Sequence, residues 1–202
     1  MNKKIKLIII LFVLNVLLLI PALNAYMFLS VSTPSNDFDV ADIFTTDPVV
    51  EVVKNTTENG KPVTVKESIK IQNTGNIPAY LRIKLITYWE DSKGNVVGRA
   101  SEALSFTTSS DWIYDQKNDV YYYKYVVNPG DTTNEFFADN NQRIIMRHIE
   151  ETVEYQTITI TYDYYQVVEV HVEGIQALPT TAVTKQWDVT IDGNGVITGV
   201  TK

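Results

Sequence analysis

A strict alternation of apolar and basic side chains near residue 80 constrains the fold more than any other feature of the sequence. Leu81, Ile83 and Leu85 occupy every second position, and Arg82 and Lys84 stand between them. Because successive side chains of a strand point to opposite faces, this stretch predicts a strand with one buried face and one face in water. That combination is typical of antiparallel sheets, whereas the strands of parallel sheets are buried on both faces.

Turn-forming residues separate this strand from its neighbours. Asn73–Asn76 precede it, and Gly75 suits such a turn because glycine readily takes a positive φ. Pro78 is compatible with the start or edge of a strand but not with its middle. Downstream, Asp91–Asn95 and Asp192–Gly195 have compositions that predict hairpin turns. The pattern therefore indicates short antiparallel strands joined by tight turns.

At least eight short strands are predicted between residue 38 and the C-terminus. Arg143–Glu154 fits a short helix almost as well as a strand, and Leu178–Ala182 is interpreted as a loop. The predicted fold class is all-β, a single β-sandwich of jelly-roll type over residues 26–202, preceded by an N-terminal signal peptide helix. The predicted strands lie near Phe38–Val40, Val49–Val53, Val63–Ile71, Tyr80–Trp89, Val96–Val97, Trp112–Tyr114, Val120–Val127, Ile158–Ile160, Val168–Val172, Trp187–Ile191 and Val196–Val200.

The first 25 residues have the pattern of a secretory signal. Three lysines within the first six residues precede an apolar run, Leu7–Ile20, which only Asn15 interrupts, and Ala25 is a small residue at a suitable cleavage position. We expect a signal peptidase to remove residues 1–25, which leaves residues 26–202 outside the cell. An uncleaved membrane anchor is the alternative, because Ile5–Leu23 approaches the roughly 20 apolar residues that a spanning helix needs.

Composition restricts the partners of the exported chain. Removal of the signal leaves 177 residues with 14 basic and 24 acidic side chains, a formal charge of −10. Such an acidic protein is a poor ligand for nucleic acid or anionic lipid, and membrane contact is expected only through the signal segment before cleavage. The chain contains no cysteine, so disulfides do not contribute to its stability.

Residues typical of catalytic sites are scarce in this sequence. It has no cysteine nucleophile, no Gly-x-Ser-x-Gly elbow, no phosphate-binding glycine loop and no His-Glu-x-x-His zinc motif. Glu169, His171 and Glu173 share one face of a predicted strand and would hold a divalent ion if another element supplied further ligands. Alternation with valines explains them better, as the solvent face of that strand. His148 lies in an acidic stretch and is interpreted as part of a solvated charge cluster. We therefore predict no catalytic residue, no metal site and no cofactor.

The stretch VYYYKYVV, residues 120–127, offers a second candidate surface. Tyr121, Tyr123 and Tyr125 share one face of a predicted strand, and exposed tyrosines can stack on sugar rings or anchor protein contacts. Tyrosine also packs well across the strands of a sheet. Ordinary sheet packing is the favoured interpretation of these three residues.

Several short stretches follow one another in a familiar order. A signal that ends at Ala25 is followed by NDFDVADI, IQNTGNIPAYLRIKL, NPGDTTNEFF and VEVHVEGIQAL. Together they resemble the TasA/camelysin family of exported proteins from Gram-positive bacteria. The resemblance implies a SipW-type signal peptide, a jelly-roll domain, an extracellular location and, for the best-known members, assembly into biofilm-matrix fibres. Some relatives are described as metalloproteases, an activity for which this chain carries no zinc motif.

The leading hypothesis is a secreted, non-catalytic structural protein of the cell surface or biofilm matrix that self-associates into fibres. A camelysin-like cell-surface metalloprotease and a carbohydrate- or protein-binding surface module are the alternatives. Cleavage after Ala25 would free an apolar segment at the start of Tyr26–Ser35, which we expect to add as a strand to an exposed sheet edge of a neighbouring subunit. Folding back onto its own sandwich fits the same residues equally well.

Overall fold

Strands account for most of the computed structural model, which describes residues 42–100, 103–155 and 158–201. The predicted signal, residues 1–25, and the predicted strand near Phe38 lie outside the described residues. Among the described residues there are eleven strands and one short helix, which confirms the predicted all-β class. The elements are β1 (Val49–Glu58), β2 (Lys61–Ile71), β3 (Ala79–Asp91), β4 (Val96–Arg99), β5 (Trp112–Asp115), β6 (Val120–Tyr123), β7 (Ile144–Met146), β8 (His148–Tyr155), β9 (Ile158–Gln176), α1 (Thr180–Trp187), β10 (Val189–Ile191) and β11 (Ile197–Val200).

The strands form two main sheets and one hairpin, and every pairing between them is antiparallel. The smaller sheet has the order β1-β2-β7. The larger sheet has the order β5-β6-β3-β9-β8, with β4 added on β3, and β10 pairs with β11 in a separate hairpin. The longest pairing joins β3 to β9 over Ala79–Asp91 and Tyr164–Gln176. This pair is the central support of the larger sheet.

The main core lies between the facing surfaces of the two sheets. Apolar side chains from the smaller sheet pack against apolar side chains from the larger one, together with aromatic rings from the connections. Complete burial of one such side chain contributes about 1.5–3 kcal/mol to stability. Members with no exposed surface are Ile69 and Ile71 of β2, Ala79, Leu81 and Ile83 of β3, and Phe136 before β7.

A second core covers the opposite face of the larger sheet. Tyr80 of β3 and Tyr122 of β6 are fully buried there, beneath Val183 of α1 and Ile197 of β11. The prediction that β3 has one face in water is therefore wrong over its first half. Alternation along β3 identifies its two faces correctly, but α1 and the β10–β11 hairpin add a layer from a distant part of the sequence.

Arg82 is the charged residue that this added layer covers. Its guanidinium lies 4.9 Å from the ring centroid of Trp187 and 5.7 Å from that of Tyr122. Arg82 Nε donates a hydrogen bond to Glu173 Oε2 at 2.9 Å, and Nη1 donates to the Tyr122 hydroxyl at 3.0 Å. Cation–π contacts and a charge-assisted hydrogen bond together compensate the desolvation of the guanidinium.

Two local predictions are corrected at the end of the chain. Thr180–Trp187 forms α1, so Leu178–Ala182 is not only a loop, and the predicted strand at Trp187–Ile191 begins two residues later, at Val189. Val183 and Trp187 are four residues apart, which places both on the helix face that packs on the second core. In the described part of the chain, no helix has the length and hydropathy that a membrane crossing would require.

The ambiguous stretch Arg143–Glu154 is extended rather than helical. It contains β7 and most of β8, and the chain passes from the smaller to the larger sheet at Arg147. The predicted strand Val120–Val127 is shorter than expected, since β6 ends at Tyr123. Val127 keeps an isolated bridge to Ala79.

Gly75 is required for a reason that the sequence did not indicate. Gly75 does not have a positive φ, unlike four other glycines of the described chain. Instead, a Cβ at this position would lie 1.9 Å from the carbonyl oxygen of Asp42 and 2.5 Å from the carbonyl carbon of Ile43. Thr45 N also donates to Thr74 Oγ1 at 3.1 Å. The start of the described chain is therefore held against the β2–β3 turn.

Candidate assembly surface

Strand β1 forms one edge of the smaller sheet and pairs only with β2 among the described residues. It is ten residues long, and all of its side chains between the two end positions are exposed. Three of these are large and apolar: Val50, Val52 and Val53 expose 45%, 43% and 45% of their surface. A long apolar edge with unpaired backbone groups is a template for another strand.

Two features of β1 limit where a strand can add. A register shift between Val52 and Val53 interrupts the ladder to β2. Beyond it, the ammonium of Lys54 pairs with the carboxylate of Glu67 on the surface. Bulges and charged side chains are common protections of edge strands. The segment before the shift, Val49–Val52, is therefore the favourable part of this edge.

The other sheet ends in a long amphipathic hairpin formed by β8 and β9. β9 pairs with β3 only from Tyr164 onward, so its first residues pair with β8 alone. One face of this arm is apolar: Ile149, Ile160 and Tyr162 expose 41%, 38% and 41% of their surface. The rings of Tyr162 and Tyr164 stack with their planes 3° from parallel. The arm is a second exposed apolar feature of the described chain.

His148 is half-buried and contacts β9, which corrects its interpretation as part of a solvated charge cluster. Its Nε2 lies 3.1 Å from Asp163 Oδ1, and its ring stacks on Tyr165 with the centroids 4.5 Å apart. Both partners belong to β9, opposite β8 in the hairpin. The cluster of neighbouring glutamates that the sequence places around His148 is therefore not its main environment. The β8–β9 register, which sequence alone did not give, would have identified both partners.

Glu169, His171 and Glu173 lie on one face of β9, as their spacing predicts. Glu173 accepts hydrogen bonds from Arg82, and His171 Nε2 is 3.9 Å from Glu173 Oε1. His148 pairs with Tyr165, so the two histidines are about 20 Å apart along β9 at roughly 3.3 Å per residue. The described residues contain no group of three His, Cys, Asp or Glu side chains that could hold a metal ion.

The predicted tyrosine face serves mainly as packing. Tyr123 is 5% exposed and belongs to the main core, while burial raises the pKa of the half-buried Tyr121 to about 12. Tyr125 is 39% exposed and contacts the Tyr123 ring at its edge, with the centroids 5.5 Å apart. Tyr114 of β5 is the more exposed ring, at 46%, and the alternation along β6 gave no signal for it.

Comparison of the chain with protein-family models, curated proteins and solved structures finds no match.

Proposed function

We propose that this protein is a secreted, non-catalytic structural protein of the cell surface or biofilm matrix that self-assembles into fibres, like members of the TasA/camelysin family that its sequence resembles. The observation that carries the proposal is the β1 edge, whose valines Val50, Val52 and Val53 are each more than two-fifths exposed. Soluble proteins usually shorten, charge or cover such edges. A long apolar strand edge without such protection suits a protein in which a strand of another molecule pairs with that edge.

The proposed partner is the N-terminal segment of another copy. Residues 26–35 read YMFLSVSTPS and begin with an apolar stretch once the signal is removed. This segment lies outside the described residues, whereas the edge it would occupy, β1, is fully described. Strand addition would satisfy backbone hydrogen bonds on both chains and bury the valines. Because donor and acceptor are different surfaces, the contact is head-to-tail and extends into a filament unless it closes into a ring.

A double substitution on the edge tests the proposal. Val50→Lys with Val52→Lys places two ammonium groups on β1 without removing hydrogen bonds between β1 and β2. We expect the variant to remain folded and to lose fibre formation, measured by sedimentation and electron microscopy. Val96→Lys on β4, where the valine is 65% exposed, is the matched control and should assemble normally. Normal assembly of the folded double variant would contradict the assignment of β1 as the acceptor.

The metalloprotease alternative has no comparable observation in its favour. His148 and His171 are about 20 Å apart along β9, and the carboxylate of Glu173 is engaged by Arg82. A zinc site usually needs three or four ligands around one point. We therefore keep the structural role as the single proposed function.

A further inference from the structure

A cleft of about 540 Å³ opens on the core-facing side of the larger sheet. Its floor includes Leu85 of β3 and Tyr121 of β6, and its wall includes Leu104 and Phe106 from the connection between β4 and β5. This volume lies within the range of roughly 300–1,000 Å³ that small-molecule sites occupy. Among the described residues, nothing covers this end of the surface that elsewhere packs against the smaller sheet.

Tyr114 gives the cleft an exposed and oriented aromatic ring. Its ring stacks on Tyr121 with the centroids 4.6 Å apart and the planes 27° from parallel, yet the residue remains 46% exposed. The Tyr114 hydroxyl donates a hydrogen bond to Asp119 Oδ1 at 3.0 Å. Stacking on Tyr121 and the hydrogen bond to Asp119 fix the orientation of the Tyr114 ring. The ring therefore loses little conformational entropy when a ligand stacks on it.

The charged groups of the cleft balance each other. Arg99 contributes a guanidinium, which donates hydrogen bonds only, and Asp119 contributes a carboxylate, which accepts them. One positive and one negative group give the cleft no net preference for a charged ligand. Together they can bind adjacent hydroxyl groups, one as acceptor and one as donor, next to the apolar face of a ring on Tyr114.

Two further cavities are neighbours of this cleft, as shown by the lining residues that they share. The next, of about 350 Å³, shares Ala103 and Leu104 with it. A third, of about 380 Å³, shares Arg147 with the second and reaches Tyr165, whose ring is 42% exposed. The first and the third of these neighbouring cavities each contain an exposed tyrosine. This arrangement suits an elongated ligand with repeated rings.

We propose that this row of cavities binds a neutral polysaccharide chain, with one sugar ring stacked on Tyr114 and its hydroxyls bound by Arg99 and Asp119. The apolar face of a sugar ring matches an exposed tyrosine, and the paired charges match its hydroxyls. The sugar site on Tyr114 shares no residue with β1, and the two further cavities include only Asn55 and Glu58 from the polar half of that strand, so binding does not require the valines of the proposed assembly edge. It would connect a matrix protein to matrix polysaccharide.

Titration calorimetry with the protein lacking residues 1–25 tests this binding. The probes are soluble hexasaccharides of β-1,4-linked glucose, α-1,4-linked glucose and β-1,4-linked N-acetylglucosamine. The protein is kept at concentrations where sedimentation shows a monomer, so that failed binding is distinct from failed assembly. We expect at least one probe to bind. Tyr114→Ala should weaken it about tenfold through lost stacking and burial, and Tyr114→Phe should weaken it less. Tyr125→Ala, an exposed tyrosine outside the cleft, should leave it unchanged.

Arg99→Gln provides a second variant if Tyr114→Ala fails to fold, and it should weaken binding about fivefold by removing a charged donor. Binding of none of the three hexasaccharides would overturn the proposal. So would unchanged binding in a folded Tyr114→Ala or Arg99→Gln variant, or an equal loss in Tyr125→Ala. Binding of a synthetic peptide of residues 26–35 that requires Tyr114 would assign the cleft to the protein's own chain instead.

Discussion

At the scale of single residues, the clearest constraint is the close backbone approach at Gly75. The carbonyl oxygen of Asp42 occupies the place where a side chain would begin. Asn76 N donates a hydrogen bond to the same oxygen at 2.9 Å. Ile43 and Phe44 follow and pack against the main core. Glycine at position 75 therefore allows the chain before β1 to cover the end of the sandwich.

Gly75→Ala should lower the free energy of unfolding by about 1–3 kcal/mol, as expected for overpacking of a close contact. Gly98 on β4 is the matched control, because a Cβ there has no atom within 4 Å. Gly98→Ala should change stability little or raise it slightly, since alanine restricts the unfolded chain. Urea unfolding of both variants measures the difference. Equal stability of the two variants would contradict the close contact.

The raised pKa of Tyr121 predicts that the protein loses stability at alkaline pH. Burial raises its pKa from 10.0 to about 12, so folding favours the neutral phenol. The resulting stabilisation is fully present below pH 10 and is lost as the pH rises toward 12. Tyr121→Phe, which cannot ionise, should unfold less steeply with pH over this window than the wild type. Tyr162→Phe, which alters an exposed tyrosine, should follow the wild-type profile. Unfolding profiles that coincide for all three proteins would refute the assignment.

At the scale of secondary-structure elements, α1 is held mainly by its contacts with the sheet. Its N-cap residue is Pro179, without a side-chain cap, and its first turn has no acidic residue. Two threonines begin the helix, and threonine has a low helix propensity. Burial of Val183 and Trp187 provides the helix stability that the local sequence does not. Packing on the second core therefore determines this helix.

Trp187→Ala should destabilise the protein by about 3–5 kcal/mol, because it removes a large buried side chain and the ring over Arg82. Gln186→Ala, at the exposed neighbouring position, should cost less than about 0.5 kcal/mol. Thermal and urea unfolding of both variants provides the measurement. If the two variants are equally stable, α1 does not depend on the second core.

The strands and the helix differ in how far sequence determines them. β3 was predictable because its alternation is strong and begins after a clear turn, at Pro78. The helix was not predictable because the core on which it packs includes Tyr80 and Tyr122, which lie more than 50 positions away in the sequence. The same limit applies to the cleft, since Arg99, Tyr114 and Tyr121 come from three different strands. Alternation identifies the faces of a strand but not what covers them.

At the scale of the whole molecule, the described chain combines two buried cores with two exposed apolar features, the β1 edge and the β8–β9 arm. The first core lies between the sheets, and the second lies beneath α1 and the terminal hairpin. The larger sheet is covered on both faces around β3 and β6, whereas among the described residues nothing pairs with the outer edge of β1 along Val49–Val52. Head-to-tail polymerisation requires two different complementary surfaces, and β1 is the proposed acceptor surface.

Electron microscopy and sedimentation of the purified chain lacking residues 1–25, over a concentration series, test this central claim most directly. The account predicts fibres above a threshold concentration. It also predicts a folded, soluble monomer when residues 26–35 are deleted as well, because the donor segment is then absent while β1 is intact. A monodisperse monomer of the longer chain at every concentration, or unchanged fibre formation by the shorter one, would contradict it.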